Sequence, residues 1–300
     1  HSAATIAEYF RLCGHRLAWV NREDNAARLC GDTAATLVEL GALTQTEAVE
    51  PSSGQALLYF EAKPDRKSLA ALFSRHGDAD WFAACSLSEL GGRGDVKHLP
   101  HVLRFMKDHH EKEFRAAAIV DSDYTYPDHL ISGPDDGVLL CHLPCKELEN
   151  LILLQPEVIK EALDEVAERK RSFTGQATPV PDADTITQWI DDILTSQDLA
   201  DLVADHWIVS HLPENPVGGH HRTAREEFLE FWGDSLNRRR FGPGKRVLAR
   251  LRHRVQSELK LSLQALSRLF DFYEPKEDMV KIMDAIRDHL AEPQTEDAAP

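Results

Sequence analysis

The feature that most constrains this chain is a change of rhythm at Ala56. From there on, short apolar runs alternate with stretches of helical periodicity. The runs are ALLYFE (56–61), DWFAACSL (80–87), RAAAIVD (115–121) and GVLLCHLP (137–144). Between them lie DRKSLAALFSRHG (65–77), with Leu69, Leu72 and Phe73 on one face, and DVKHLPHVLRFMKDHH (95–110), where Pro100 is tolerable only near the first turn. Runs of this length bounded by turn residues read as buried strands. Strands separated by helices of about a dozen residues need crossover connections, hence a parallel sheet. The expected fold class is α/β, a parallel sheet flanked by helices.

The periodicity differs on either side of this region. Residues 1–53 predict a helical N-terminal segment, carried by IAEYFRLCGHRLAWV and AATLVELGAL, and the Pro-, Ser- and Gly-rich VEPSSGQ reads as a linker. After KELENLILL the strand signal stops. The stretches 156–173, 184–209, 223–236, 244–260, 263–273 and 278–290 all carry apolar residues at helical spacing, with loops expected at 175–184 and 213–221. The expected organisation is therefore a sheet domain over 54–155, a mostly α-helical second domain over 156–290, and a disordered tail over 291–300.

Acidic residues fall where such a sheet would gather them. Glu61 ends the first run and Asp65 opens the helix after it. Asp121 and Asp123 lie two apart at the end of the third run, and Glu149 follows the fourth. In open α/β sheets, ligands bind in the crevice outside the carboxyl ends of the strands. Residues i and i+2 of extended backbone face one way, so Asp121 and Asp123 can reach one ion while Ser122 faces the other way. Several carboxylates in one crevice repel each other unless a cation lies between them, and hard oxygen ligands select Mg²⁺ or Mn²⁺. Taken singly, each has a plainer reading: a strand-end turn for Asp121–Asp123, a helix cap for Asp65, a solvated helical turn for Glu147 or Glu149.

Composition narrows the function. A net charge of −16 argues against a protein that coats nucleic acid generally, but the charge is uneven. Between Arg238 and Lys260 nine Lys or Arg residues stand against one acid, Glu258. A basic segment with an acidic metal site suggests phosphodiester chemistry, with Arg240, Lys245, Arg246 and Arg250 as candidate contacts to DNA. Lys245 follows a Gly-Pro-Gly turn on the first turn of a helix, beside backbone donors that favour phosphate, which makes it the candidate catalytic cation. The plainer reading is a basic helix face that contacts a DNA backbone or an acidic neighbour.

Five cysteines at irregular spacing predict reduced thiols and a cytoplasmic location, with no secretory leader or membrane span. Cys141-His142-x-x-Cys145 is half a zinc pattern without a second half. His206, His211, His220 and His221 gather around a loop, but a surface or core role is expected of them. The chain opens His-Ser without Met, which predicts a tag remnant on part of a longer protein.

The order of the acidic motifs resembles a Toprim domain, the topoisomerase–primase fold in which a strand-end Glu precedes a DxD pair. FEAKPD is similar to the first motif and IVDSD to the second. CKELENLILLQPEVI resembles the Glu-x-Glu-Asn segment of Toprim nucleases of the OLD (overcoming lysogenization defect) family and of related phage-defence proteins that work with ABC-type ATPases. GGRGDV is similar to that family's glycine-bearing turn. The likeness covers about residues 56–155, and Ala62 stands where the family has Gly.

The resemblance implies a Toprim-like sheet and a metal-dependent DNA endonuclease in a protein whose ATPase domain lies N-terminal. These residues contain no GxxxxGK[ST] loop, so ATP hydrolysis is not expected of them. Two Mg²⁺ or Mn²⁺ ions are expected, with Glu61 as catalytic ligand alongside Asp65, Asp121, Asp123 and Glu149. Expected partners are DNA and the ATPase, without a membrane; a homo-oligomer is open. One rival is a Toprim strand-passage or primase activity; strand passage needs a nucleophilic tyrosine, and Tyr124 and Tyr126 lie too close to the acidic site. The other is a non-catalytic, degenerate Toprim module that binds a partner ATPase.

Overall fold

A computed structural model describes residues 56–61, 65–90, 99–100, 103, 115–122, 129–135, 137–212 and 218–291, with the backbone of Ala18–Val20 and Ala27–Leu29. Asp123 and the segments 62–64 and 213–217 lie outside the described residues, as do Tyr124, Tyr126 and most of the helix expected over 95–110. So does the expected tail from residue 292.

The chain is an α/β protein. Strands β3 (Ala56–Phe60), β4 (Ser86–Glu89), β5 (Arg115–Val120), β6 (Ile131–Asp135) and β7 (Val138–His142) form one sheet in the order β4-β3-β5-β7-β6. All neighbours are parallel except β6, which runs antiparallel to β7. Leu57, Leu58, Phe60 and residues 116–120 are almost fully buried, which explains their continuous apolar runs. Phe60 pairs with Ile119 and Val120 with His142, so β3, β5 and β7 end at one edge.

Three expectations are corrected around the sheet. Within 1–53, Ala18–Val20 (β1) and Ala27–Leu29 (β2) are strands paired antiparallel, where helix is expected. DWFAACSL is not one strand. Ala79–Ala84 forms helix α2, and the strand begins only at Ser86. The rings of Trp81 and Phe82 lie 5.6 and 4.9 Å from Phe73 of α1 (Asp65–Arg75), so packing on that helix decides the conformation. Strand β6 is unforeseen because its sequence, ISGPD, has no apolar run. An edge strand tolerates Pro134, which lies exposed.

After β7 the described elements are all helical: α3 (Leu148–Leu153), α4 (Pro156–Thr174), α5 (Ala183–Leu194), α6 (Gln197–His211), α7 (Gly218–Gly233), α8 (Ser235–Phe241), α9 (Gly244–Leu259), α10 (Leu266–Leu269) and α11 (Glu277–Leu290). The single helix expected over 184–209 breaks at Thr195 and Ser196. Their hydroxyls bond back to Asp191 O and Ile193 O and compete with helix propagation. The helix expected over 223–236 breaks at Gly233. Asp234 then caps α8, accepting the N–H groups of Leu236 and Asn237 at 2.7 and 3.0 Å. Gly218 to His221, expected in a loop, belong to α7.

One buried apolar cluster runs from Leu58 and Phe60 through α3 and α4 to Ile286 and Leu290, so the core crosses the boundary expected at residues 155 and 156. Helix α11 returns to the sheet. His289 Nε2 lies 3.1 Å from Ala116 O and 3.2 Å from Gly137 O, and Arg115 donates to His289 O at 3.2 Å. No described helix is long and apolar enough to cross a membrane.

Candidate functional site

Strands β3 and β5 deliver Glu61 and Asp121 to the same sheet edge, one residue beyond each strand. The Asp121 N–H donates to Glu61 Oε1 at 3.3 Å. Asp65, the first residue of α1, lines the same recess with Phe60, Ile119 and Leu148. Ser122 points away as alternation requires. It is 1% exposed and its hydroxyl donates to Leu143 O.

Helix α3 brings Glu149. Although it lies in a first turn, where solvent contact is common, it is 8% exposed, and Oε2 has no hydrogen-bond partner among the described residues. A buried carboxylate oxygen without a donor is costly.

Lys245 stands on the first turn of α9, held there by two contacts. Its backbone N–H donates to Glu147 Oε2 at 3.0 Å. A Cβ on the preceding Gly244 would lie 2.7 Å from Asn150 Oδ1 and 2.9 Å from Glu149 Cβ, so glycine allows α9 to meet α3. Asn150, fully buried, completes the joint. Its amide donates to Arg239 O at 2.7 Å and Gly242 O at 3.0 Å, while its Oδ1 accepts the N–H of Glu147 at 3.1 Å. The backbone donor at the start of α9, expected to await phosphate, is thus met by Glu147.

The electrostatics show what is gathered here. Burial, and then the charges of Glu61, Glu147 and Asp65, push the Asp121 carboxyl from 3.8 up to about 8, with Lys245 opposing them. Burial also raises Glu149, against its own backbone N–H and Lys245. Partial burial pulls Lys245 down, but Glu149, Glu147, Asp121 and Asp65 outweigh it and hold the ammonium above its usual range. Four carboxylates thus act on one lysine. Asp123 remains outside the described residues, and among those described no group of three or more His, Cys, Asp or Glu side chains is close enough to hold an ion. The orphaned Glu149 oxygen, the proton-retaining Asp121 and an all-oxygen donor set nevertheless suit a hard divalent cation.

The basic segment divides into two faces. Arg250 pairs with Asp198, its Nη1 3.1 Å from Oδ1, and also donates to Ser196 Oγ at 3.0 Å. Arg254 lies 3.3 Å from Asp192 and 4.7 Å from the Trp189 ring centre. This face ties α9 to α5 and α6, and Arg250, expected on DNA, pairs at the surface with Asp198 of its own chain. Arg246 is exposed, and Arg240 is half-buried in α8, its charge acting on the Cys145 thiol.

Sequence reasoning missed Glu147 as a positioning group. Its signal was present, because Glu147 stands directly before α3 with Asn150 three residues on, the spacing of a capping pair. Cys141 and Cys145 are fully buried, and burial pushes the Cys141 thiol up to about 12, so inert core thiols describe them best. His211 stacks on Trp207 with centroids 3.7 Å apart and Nδ1 2.8 Å from Trp207 O, a packing role. Comparison with protein-family models, curated proteins and solved structures finds no match to this chain.

Proposed function

We propose that this chain is a metal-dependent phosphodiester hydrolase that cleaves DNA, the nuclease portion of an OLD-family protein whose ATPase domain precedes it. The observation that carries the reading is the convergence of Asp65, Asp121, Glu147 and Glu149 on Lys245 at the strand ends, with one Glu149 oxygen left without a donor.

Glu61, Asp65, Asp121 and Glu149, joined by Asp123, would hold Mg²⁺ or Mn²⁺, expected as two ions. The metal supplies an activated water and a counter-charge for the departing oxygen. Lys245 keeps its proton because the carboxylates stabilise the ammonium, so it presents a permanent positive charge to a phosphate. Glu147 holds that lysine in place through its backbone. Burial of Asp121 and Glu149 keeps water from screening these charges.

Incubation with supercoiled plasmid and Mn²⁺ tests this. Open-circle and linear products are expected, and Asp121→Asn lowers their rate by about 10²-fold or more. Nicking retained in that variant sinks the assignment, and a changed linking number without ends points to strand passage.

A second reading has its own support. Ala62, standing where the family has Gly, and the net charge of −16 favour a degenerate Toprim module that binds a partner ATPase. In that case Mn²⁺ leaves the melting temperature unchanged, whereas a working site gains stability that Asp121→Asn removes.

A further inference from the structure

Beside the carboxylates lies a groove of about 1020 Å³ whose walls come from α1, α2, α9 and the start of α10. Glu149 and Lys245 belong to its lining, so groove and carboxylate site are continuous. Two kinds of surface meet in it. Arg66 and Lys67 of α1 oppose Lys245 and Arg252 of α9, four cations on two walls, and Glu149 is the one acid among the described lining residues. Between them Ala83, Leu87, Ala265 and Leu266 present an apolar surface over the buried Phe82 and Leu248.

The cations are available. Arg66 and Lys67 are exposed, and among the described residues neither has an acidic partner. Arg252 donates one N–H to Gln264 O at 3.4 Å, which leaves most of the guanidinium for another acceptor. In a chain of net charge −16 such a strip selects for a polyanion. The apolar surface selects further. A duplex presents phosphates but keeps its base faces stacked inside, whereas a single strand offers both phosphates and open base faces. An acidic peptide has the charge without the flat apolar surfaces.

We infer that this groove binds a single-stranded polynucleotide, with phosphates on Arg66, Lys67, Lys245 and Arg252, bases against the apolar wall, and the strand led to the carboxylates. The inference rests on the phosphodiester reading and names its substrate form.

Fluorescence anisotropy in EDTA tests it, with labelled oligomers of about 16 nucleotides, DNA and RNA, against a DNA duplex of the same sequence. A single strand is expected to bind at least ~10-fold more tightly than the duplex, with a log–log salt slope of about −3. Arg66→Ala with Lys67→Ala makes that slope shallower by about 1.4 and weakens binding roughly 10-fold. Ala265→Glu, at an exposed position on the lining, shrinks the single-strand preference. Equal or tighter duplex binding overturns the inference. So does indifference to the double substitution, or displacement of the strand by polyglutamate at equal charge. The two readings fail separately. Asp121→Asn should still bind the strand while it loses cleavage. Cleavage that ignores Arg66 and Lys67 sinks the groove alone, and strand binding without any cleavage sinks the nuclease alone.

Discussion

The carboxylate of Glu147 accepts the backbone N–H of Lys245 at 3.0 Å, joining the segment after β7 to the first turn of α9 across 98 residues of sequence. The sheet end supplies the acids and α9 supplies the cation, so this bond positions one against the other. Glu147→Ala should destabilise the chain by about 1 kcal/mol, in the range for an exposed hydrogen bond to a charged acceptor. Glu147→Gln, whose amide oxygen still accepts, should lose less. Urea unfolding of the three proteins measures the difference, and equal stabilities would remove Glu147 from the joint.

Asn150 is the second hinge pin. Asn150→Ala removes one buried hydrogen bond, to Gly242 O, and two partly buried ones, to Arg239 O and the Glu147 N–H, and should cost about 3 kcal/mol. Gly244→Ala should cost about 1–3 kcal/mol, because its Cβ would meet Asn150 and Glu149 below contact distance. Both are expected to reduce plasmid nicking more steeply than stability, since both displace Lys245. A proportionate loss of activity and folded fraction contradicts that.

The pH dependence has a definite sign. Asp121 holds its proton up to about 8 in the folded chain against 3.8 ordinarily, so between those values the native state binds more protons than the unfolded one. Stability contributed by this group is therefore greatest at the acid end of the window and falls as pH rises towards 8. In EDTA the wild-type melting temperature should decline from pH 5 to pH 8 relative to Asp121→Asn, and Mg²⁺ should reduce the decline by stabilising the carboxylate. Parallel curves for the two proteins would contradict the burial and crowding of Asp121.

Lys245 and Arg250 lie five positions apart on α9 and should behave differently. Lys245→Ala removes the cation among the carboxylates and is expected to lower nicking about 10²-fold. Arg250 spends its charge on Asp198, whose carboxyl the Arg250 hydrogen bonds hold down to about 2, and Arg250→Ala should change nicking by less than about twofold. Equal, small losses from both would leave α9 with backbone binding only.

Much of the fold is legible locally. Strands β3, β5 and β7 are buried on both faces and therefore read as unbroken apolar runs, and α4, α9 and α11 carry apolar faces that neighbouring elements cover. Helix α2 is not legible, because Trp81 and Phe82 suit a strand as well as a helix until Phe73 decides between them. Nor is β6, an edge strand set by its pairing with β7 and by Ile131 against the core.

The site divides along the same line. The sequence by itself determines that Glu61 and Asp121 each end an apolar run of strand length, because hydrophobic periodicity is a local property. The tertiary structure decides that Glu147 caps α9, that Arg250 is committed to Asp198, and that Arg66, Lys67 and Arg252 face one groove. Those relations depend on how α9 packs on α3 and α5 and how α10 packs on α1, which is set by buried side chains far apart in sequence.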